Sequence, residues 1–211
     1  MRFTLITAIF VTLALTATLA EDTFSVSQAL EDIISLVAGR RGAQTPGRNA
    51  PGGRSGRTVN APHMYQLDPR WKNEFLGNSR TTIGRAGCAM SSVSAMLAAK
   101  GIRINGQPAN PHTLNQYLKT HGGYAGDNIV WGAVRGLGPK YQGQITNKNQ
   151  MVNDFKSGKS LILNVQGGGH WVLATGVTDK GFTVMNPGRS NPKDRNFYSF
   201  GEVVRAAIYA P

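Results

Sequence analysis

Among the 211 residues there is one cysteine, Cys88. It stands where a glycine-broken approach, Thr81 to Gly87, turns into an uninterrupted helix-forming run. From Cys88 to Lys100 there is no Gly or Pro, and Ala89, Met90, Val93, Ala95, Met96, Leu97 and Ala98 spread a wide apolar surface at helical spacing. Gly101 supplies the stop. A thiol in the first turn feels the unpaired N–H groups and the positive end of the helix dipole, and both favour the nucleophilic thiolate. The other reading open at this point is that Cys88 is a small buried hydrophobe.

Residues 1–20 begin Met1-Arg2, continue as an apolar core from Phe3 to Leu19 and end in small residues at the two positions a signal peptidase reads. A secretory signal is expected, with a soluble, exported mature protein. Its single Arg before the core, and the lack of a second apolar run of about 18 residues, argue against a membrane span. Exported chains use cysteines in pairs, so an unpaired one is reactive or a liability. Residues 21–60 follow as an amphipathic helix on a tether. Val26, Leu30, Ile33, Ile34 and Val37 share one face between Ser25 and Ala38, and Arg40 to Asn60 is Gly, Pro and Arg with almost nothing apolar to bury. A pro-segment cut near Arg40-Arg41, or a spacer with a weakly docked helix, would both fit.

The remaining 61–211 is one domain of ordinary size with enough apolar residues for a core, and is expected to work as a monomer. The chain carries a net charge of +12, and within the domain 17 Lys and Arg face seven acids. Such a field attracts anionic surfaces without choosing among them. No zinc-finger, helix-turn-helix or RNA-platform signature appears, so no specific nucleic acid is expected.

Helices are expected over Pro111 to Thr120, Ile129 to Val134 around Trp131, and Met151 to Ser157. Met64 to Trp71 reads as a short edge strand or turn with an aromatic anchor, and Phe75 to Thr82 as a loop. From Ser160 the pattern becomes that of strands: Leu161 to Val165, Trp171 to Val177, Gly181 to Met185 and a last one over Val203 to Tyr209. Helices first and an antiparallel sheet second make an α+β domain with segregated layers.

Three glycines, Gly167 to Gly169, precede His170 at the start of one strand, and Asn186-Pro187-Gly188 ends the next. If those strands pair, imidazole and carboxamide lie at neighbouring strand ends. Thiol, imidazole and amide are what nucleophilic acyl transfer needs: one to attack, one to move the proton, one to orient the ring. The four histidines show no metal-ligand spacing, and no cofactor is expected. Gly158-Lys159-Ser160 lacks the upstream Gly of a phosphate loop, because Asn153 stands there, and no Ser sits in a Gly-x-Ser-x-Gly elbow.

The ordered set Tyr65-Gln66-Leu67-Asp68 with Trp71, Thr82-Ile83-Gly84 before Gly87-Cys88-Ala89, Leu114 to Leu118, Gly122-Gly123-Tyr124, Trp131, Gly169-His170-Trp171-Val172 and Met185 to Gly188 resembles the double-glycine-peptidase-like branch of papain-like cysteine peptidases. The resemblance covers roughly Met64 to Arg189. It implies a papain-like fold, with the helical half bearing Cys88 as nucleophile and the sheet bearing His170 as general base and Asn186 as orienting residue, where this branch more often has Asp. It also implies an oxyanion-hole Gln shortly before the nucleophile. Residues 78–87 contain none, and Gln66 is the nearest upstream.

The function expected is therefore that of a secreted cysteine peptidase or amidase acting on peptide or protein substrates, with cell-wall peptides as the close alternative within the class. A catalytically silent, cationic binding or toxic protein that adheres to anionic surfaces is the alternative from outside it.

Overall fold

The computed structural model describes residues 56–211. The expected signal, the amphipathic helix over Ser25 to Ala38 and most of the tether lie outside the described residues.

The chain enters through turns. Trp71 is the buried anchor that the sequence marks, and its indole N–H donates to the Tyr65 carbonyl at 2.8 Å. No strand forms at Met64 to Asp68, because Pro69 interrupts it and the backbone bonds there close turns. A short helix α1 (Ile83–Ala86) then runs into α2 (Cys88–Ala99) through Gly87. A Cβ at Gly87 would sit 2.5 Å from the Ile83 carbonyl oxygen, so only glycine permits so tight a passage between the helices. Every residue of α2 from Met90 to Leu97 is buried. The run of Ala and Ser keeps this helix thin enough to lie in the interior, packed on the sheet and on α3 (Pro111–Thr120). Helix α3 has the expected bounds and is capped by Asn110, whose side chain accepts from Thr113 N. Two two-residue ladders flank it, β1 (Arg103–Ile104) with β2 (Gln107–Pro108) and β3 (Tyr124–Ala125) with β4 (Asn128–Ile129). The turn around Trp131 is a 3₁₀ helix over Trp131–Leu137. It starts two residues later than expected, because Ile129 is paired to Tyr124 in the preceding hairpin.

The main sheet is antiparallel throughout: β5 (Lys140–Ile145), β6 (Ser160–Val165), β7 (His170–Val177), β8 (Gly181–Met185), β9 (Phe197–Ser199) and β10 (Arg205–Ala210), in the order β5-β10-β6-β7-β8-β9. Register divides its side chains cleanly. Ala207, Ile162, Leu173 and Met185 form one cross-strand row that packs with α2 and α3. Ala206, Leu163 and Val172 form the adjacent row on the opposite face, where Met151 and Phe155 of α4 (Lys148–Lys156) cover them. With both faces covered, β6 is buried at every residue, which is why it reads as a continuous apolar run rather than an alternation.

The layers are less segregated than expected, since β5 precedes α4 and joins the sheet edge beside β10. Neither β5 nor β9 shows in the sequence pattern. β5 alternates half-buried and exposed residues and contains Gly143, and β9 is three residues long at the other edge.

Arg57 to Asn60, which composition assigns to the tether, lie on the domain. The Arg57 guanidinium donates to the carbonyls of Phe155, Gly158 and Lys159 at 2.6 to 3.1 Å, satisfying oxygens at the C-terminal end of α4, and stacks on the Phe155 ring. Val59 N donates to the Thr175 carbonyl at 2.7 Å. A cationic side chain that caps a helix end needs no apolar neighbours in sequence, so composition does not reveal it. Arg57→Ala is expected to lower stability by about 1 kcal/mol, the worth of charged hydrogen bonds at a half-exposed site. Thermal unfolding of chains beginning at Gly56 and at Ala61 checks the same contacts, with the shorter chain melting lower.

Candidate active site

A cavity of about 500 Å³ opens between the start of α2, the β3–β4 hairpin and the loop that leads into β7. Cys88, Gln66 and His170 all line it.

Cys88 is the first residue of α2 and is partly exposed to the cavity. Helix α2 packs along β7, where Ser92 Oγ donates to the Trp171 carbonyl at 3.2 Å. The contact sets the thiol beside the first residues of that strand. Burial pushes the thiol up from its ordinary range, and the backbone N–H groups of Trp171, Ala89 and Cys88 itself pull it down by less. The expectation of a thiolate stabilised by the helix N-terminus is thus corrected. The N–H groups act in the expected direction, but loss of water around the sulfur outweighs them.

His170 opens β7 and Asn186 follows the last residue of β8, and the pairing of Leu173 with Met185 brings those strand ends together. His170 Nε2 lies 2.8 Å from Asn186 Oδ1. The direction of that bond follows from the amide's other partners. Asn186 Nδ2 donates to the Arg195 carbonyl at 3.1 Å, and Oδ1 accepts from Gly188 N at 3.0 Å. Both backbone groups have a fixed role, so the oxygen faces the ring, Nε2 carries the proton and Nδ1 is the nitrogen with the free lone pair. Asn186 is only 1% exposed, and the Tyr198 hydroxyl lies 3.4 Å from its Nδ2. Gly188 completes the fit, because a Cβ there would meet His170 Cε1 at 2.9 Å. Burial lowers the imidazole below the usual histidine value; the Asn186 bond raises it by less, and the Arg189 charge lowers it further. Burial thus raises the thiol and lowers the imidazole, the direction that favours the neutral form of each.

Gln66 enters the site from a turn 22 positions before the cysteine. Its backbone N donates to the Pro187 carbonyl at 2.9 Å, and its Nε2 donates to the Gly84 carbonyl at 3.0 Å, which leaves one amide hydrogen uncommitted. Its Oε1 is buried with no hydrogen-bond partner among the described residues. One segment therefore reaches both sides of the cleft, since His63 Nε2 also lies 3.2 Å from the Asn186 carbonyl.

Several lining residues escaped the sequence reading. Tyr124 and Asp127 come from the hairpin, and Gln144 and Arg205 from β5 and β10. Tyr124 donates its hydroxyl to Asn115 Oδ1 at 2.7 Å, and Asn115 Nδ2 donates in turn to Glu74 Oε2 and the Phe75 carbonyl. The hairpin wall is thereby tied to α3. Register was the missing signal: Gln144 pairs with Ala207, and Arg205, Asn164 and Trp171 form a cross-strand row on the same sheet face, two residues along.

These two shifts have consequences that can be measured. Alkylation of Cys88 by iodoacetamide is expected to be slower at pH 7 than that of a free thiol and to climb as pH rises above the ordinary thiol range. A plateau extending below pH 6 would instead mark a resting thiolate. In Asn186→Asp a carboxylate replaces the amide beside the ring and favours its charged form, so the His170 midpoint, read from the imidazole NMR resonances, is expected to move up from its depressed wild-type position.

No curated protein and no solved structure matches the chain. Residues 58–207, well over half of it, match the Peptidase_C39 like family. The matched span begins beside Arg57 and takes in Gln66, Cys88, His170 and Asn186, so the chain belongs to the Peptidase_C39 like family of papain-like cysteine peptidases.

Proposed function

We propose that the protein is a secreted cysteine peptidase that hydrolyses peptide or amide bonds through an acyl-enzyme. The observation that carries this reading is the His170–Asn186 bond at 2.8 Å, on the rim of the cavity that the chain's one thiol lines. The Asn186 oxygen holds the Nε2–H tautomer, which leaves Nδ1 to act as base. Cys88 Sγ attacks the scissile carbonyl carbon while Nδ1 takes the thiol proton, and the developing imidazolium is stabilised through Nε2–H to Asn186. The same Nδ1 proton passes to the leaving amine as the C–N bond breaks. Water, deprotonated by Nδ1, then hydrolyses the thioester and restores the thiol. Proton transfer during attack suits a thiol raised and an imidazole lowered by burial, because no buried charge has to be maintained between turnovers.

For the oxyanion, the Cys88 backbone N–H is one donor and the uncommitted Nε2 hydrogen of Gln66 is the other. On this reading the glutamine comes from a more distant turn than in the family pattern, with Gly84 accepting from its side chain and Pro187 from its backbone N. The apolar run over residues 1–20 supports export. Peptides are the substrate class, with wall cross-bridges the close alternative, since wall polymers are anionic and the protein is strongly basic.

The test is cleavage of a mixed peptide library and of purified bacterial wall, read by mass spectrometry. Cys88→Ala and His170→Ala are expected to lose at least about a thousandfold in kcat/KM. Gln66→Ala is expected to lose about a hundredfold, mostly in kcat, as for one oxyanion donor. Undiminished cleavage by Cys88→Ala would rule out the thiol as nucleophile, and no cleavage by the wild-type chain would favour a cationic binder over a peptidase.

A further inference from the structure

The cleft is charged asymmetrically. Arg85, three residues before the thiol, lies on one side, and Arg205 lies on the sheet side, where its guanidinium carbon is 5.6 Å from the Trp171 ring centre. Trp171 lines the same cavity as Cys88 and His170, so Arg205 shares the cleft with both. Its backbone is fixed by pairing with Asn164, the residue opposite Trp171 on the next strand. Both arginines are exposed, and among the described residues neither has an acidic partner. Asp68, Glu74, Asp154 and Glu202 are engaged elsewhere, by Arg70, His112, Lys159 and Arg195. Among the described residues, the one acid lining the cleft is Asp127, on the opposite hairpin, where Asn128 Nδ2 donates to it at 3.3 Å. An arginine stacked on an aromatic ring is held in place while its N–H fork stays open, the arrangement that binds a carboxylate with two parallel bonds.

We propose that Arg205 is a specificity-determining residue that selects peptides presenting a carboxylate close to the scissile bond, with Arg85 adding to the field across the cleft. This rests on the cleft being the substrate site of the peptidase. The carboxylate is supplied by an acidic side chain or by a free C-terminus, and both offer the same planar acceptor. The tilted pair Trp171 and Trp131, with ring centres 4.7 Å apart, forms the apolar wall against which the carbon chain of such a group lies.

Binding to the full chain bearing Cys88→Ala tests this without turnover. Acetylated and amidated hexapeptide pools, differing only by Glu or Gln at one internal position, are equilibrated with the protein, and retained peptides are quantified by mass spectrometry; a third pool has the Gln sequence with a free C-terminal acid. Glu or free-acid peptides are expected to be enriched about fivefold over the amidated Gln pool, the upper end for an exposed ion pair. Whichever pool is enriched identifies the source of the carboxylate. Adding Arg205→Gln is expected to bring the ratio close to one, and Arg205→Lys to restore part of it. Arg103→Gln, which removes the same charge outside the cleft, is expected to leave it unchanged. No retention, equal retention of all pools, enrichment that survives Arg205→Gln, or an equal loss in Arg103→Gln would each overturn the proposal. Failure of the wild-type chain to cleave any peptide would sink the peptidase reading while leaving this binding result standing.

Discussion

Helix α2 is buried along nearly its whole length, and the rest of the molecule is arranged to provide that burial. Met90, Val93, Met96 and Leu97 are sealed by the Ile162, Leu173 and Met185 face of the sheet and by Leu114 and Leu118 of α3. A helix so enclosed cannot slide or rotate without opening voids, and at about 25 cal/mol per Å² of apolar surface such voids are costly. The thiol at its first residue inherits that rigidity. So does its distance from β7, because the strand that carries His170 is also the one α2 packs along.

On the sheet side, precision comes from hydrogen bonds rather than from packing. Asn186 leaves none of its amide atoms uncommitted: the oxygen is shared by Gly188 N and the imidazole, and the nitrogen donates to the Arg195 carbonyl. A buried carboxamide satisfied in this way has one orientation available, since turning it over would set oxygen against oxygen and leave donors unpaired. The loop from Arg189 to Arg195 and the edge strand β9 therefore act on the ring through Asn186, although neither lines the cleft.

The electrostatics of the two groups follow from burial. Loss of water favours the neutral form of the thiol and of the imidazole, and so shifts their proton affinities in opposite directions. Two exposed arginines, Arg85 and Arg205, line the same cleft.

Hydrophobic periodicity was enough to mark α2, α3 and the strands β6, β7 and β8 within a residue or two, because each of these elements packs a long apolar face and its ends are punctuated by Gly, Pro or Asn. Cys88, His170 and Asn186 were legible for the same reason: each stands at the boundary of a well-marked element, with glycines beside it. The edge strands β5 and β9 and the cap formed by Arg57 were not, since an edge strand buries little and a guanidinium bonded to backbone carbonyls leaves no pattern in the chain. The ionisation of the thiol was misjudged from local sequence, because helix-end N–H groups are a local property whereas desolvation depends on what the far half of the chain lays over the sulfur. The cleft itself lay beyond sequence reasoning. Gln144 and Arg205 come from two strands widely separated along the chain, and only the register of an antiparallel sheet, which turns every side chain over when shifted by one residue, brings them to one face; Gln66 reaches the cleft on a turn held by a backbone bond to Pro187, far along the chain.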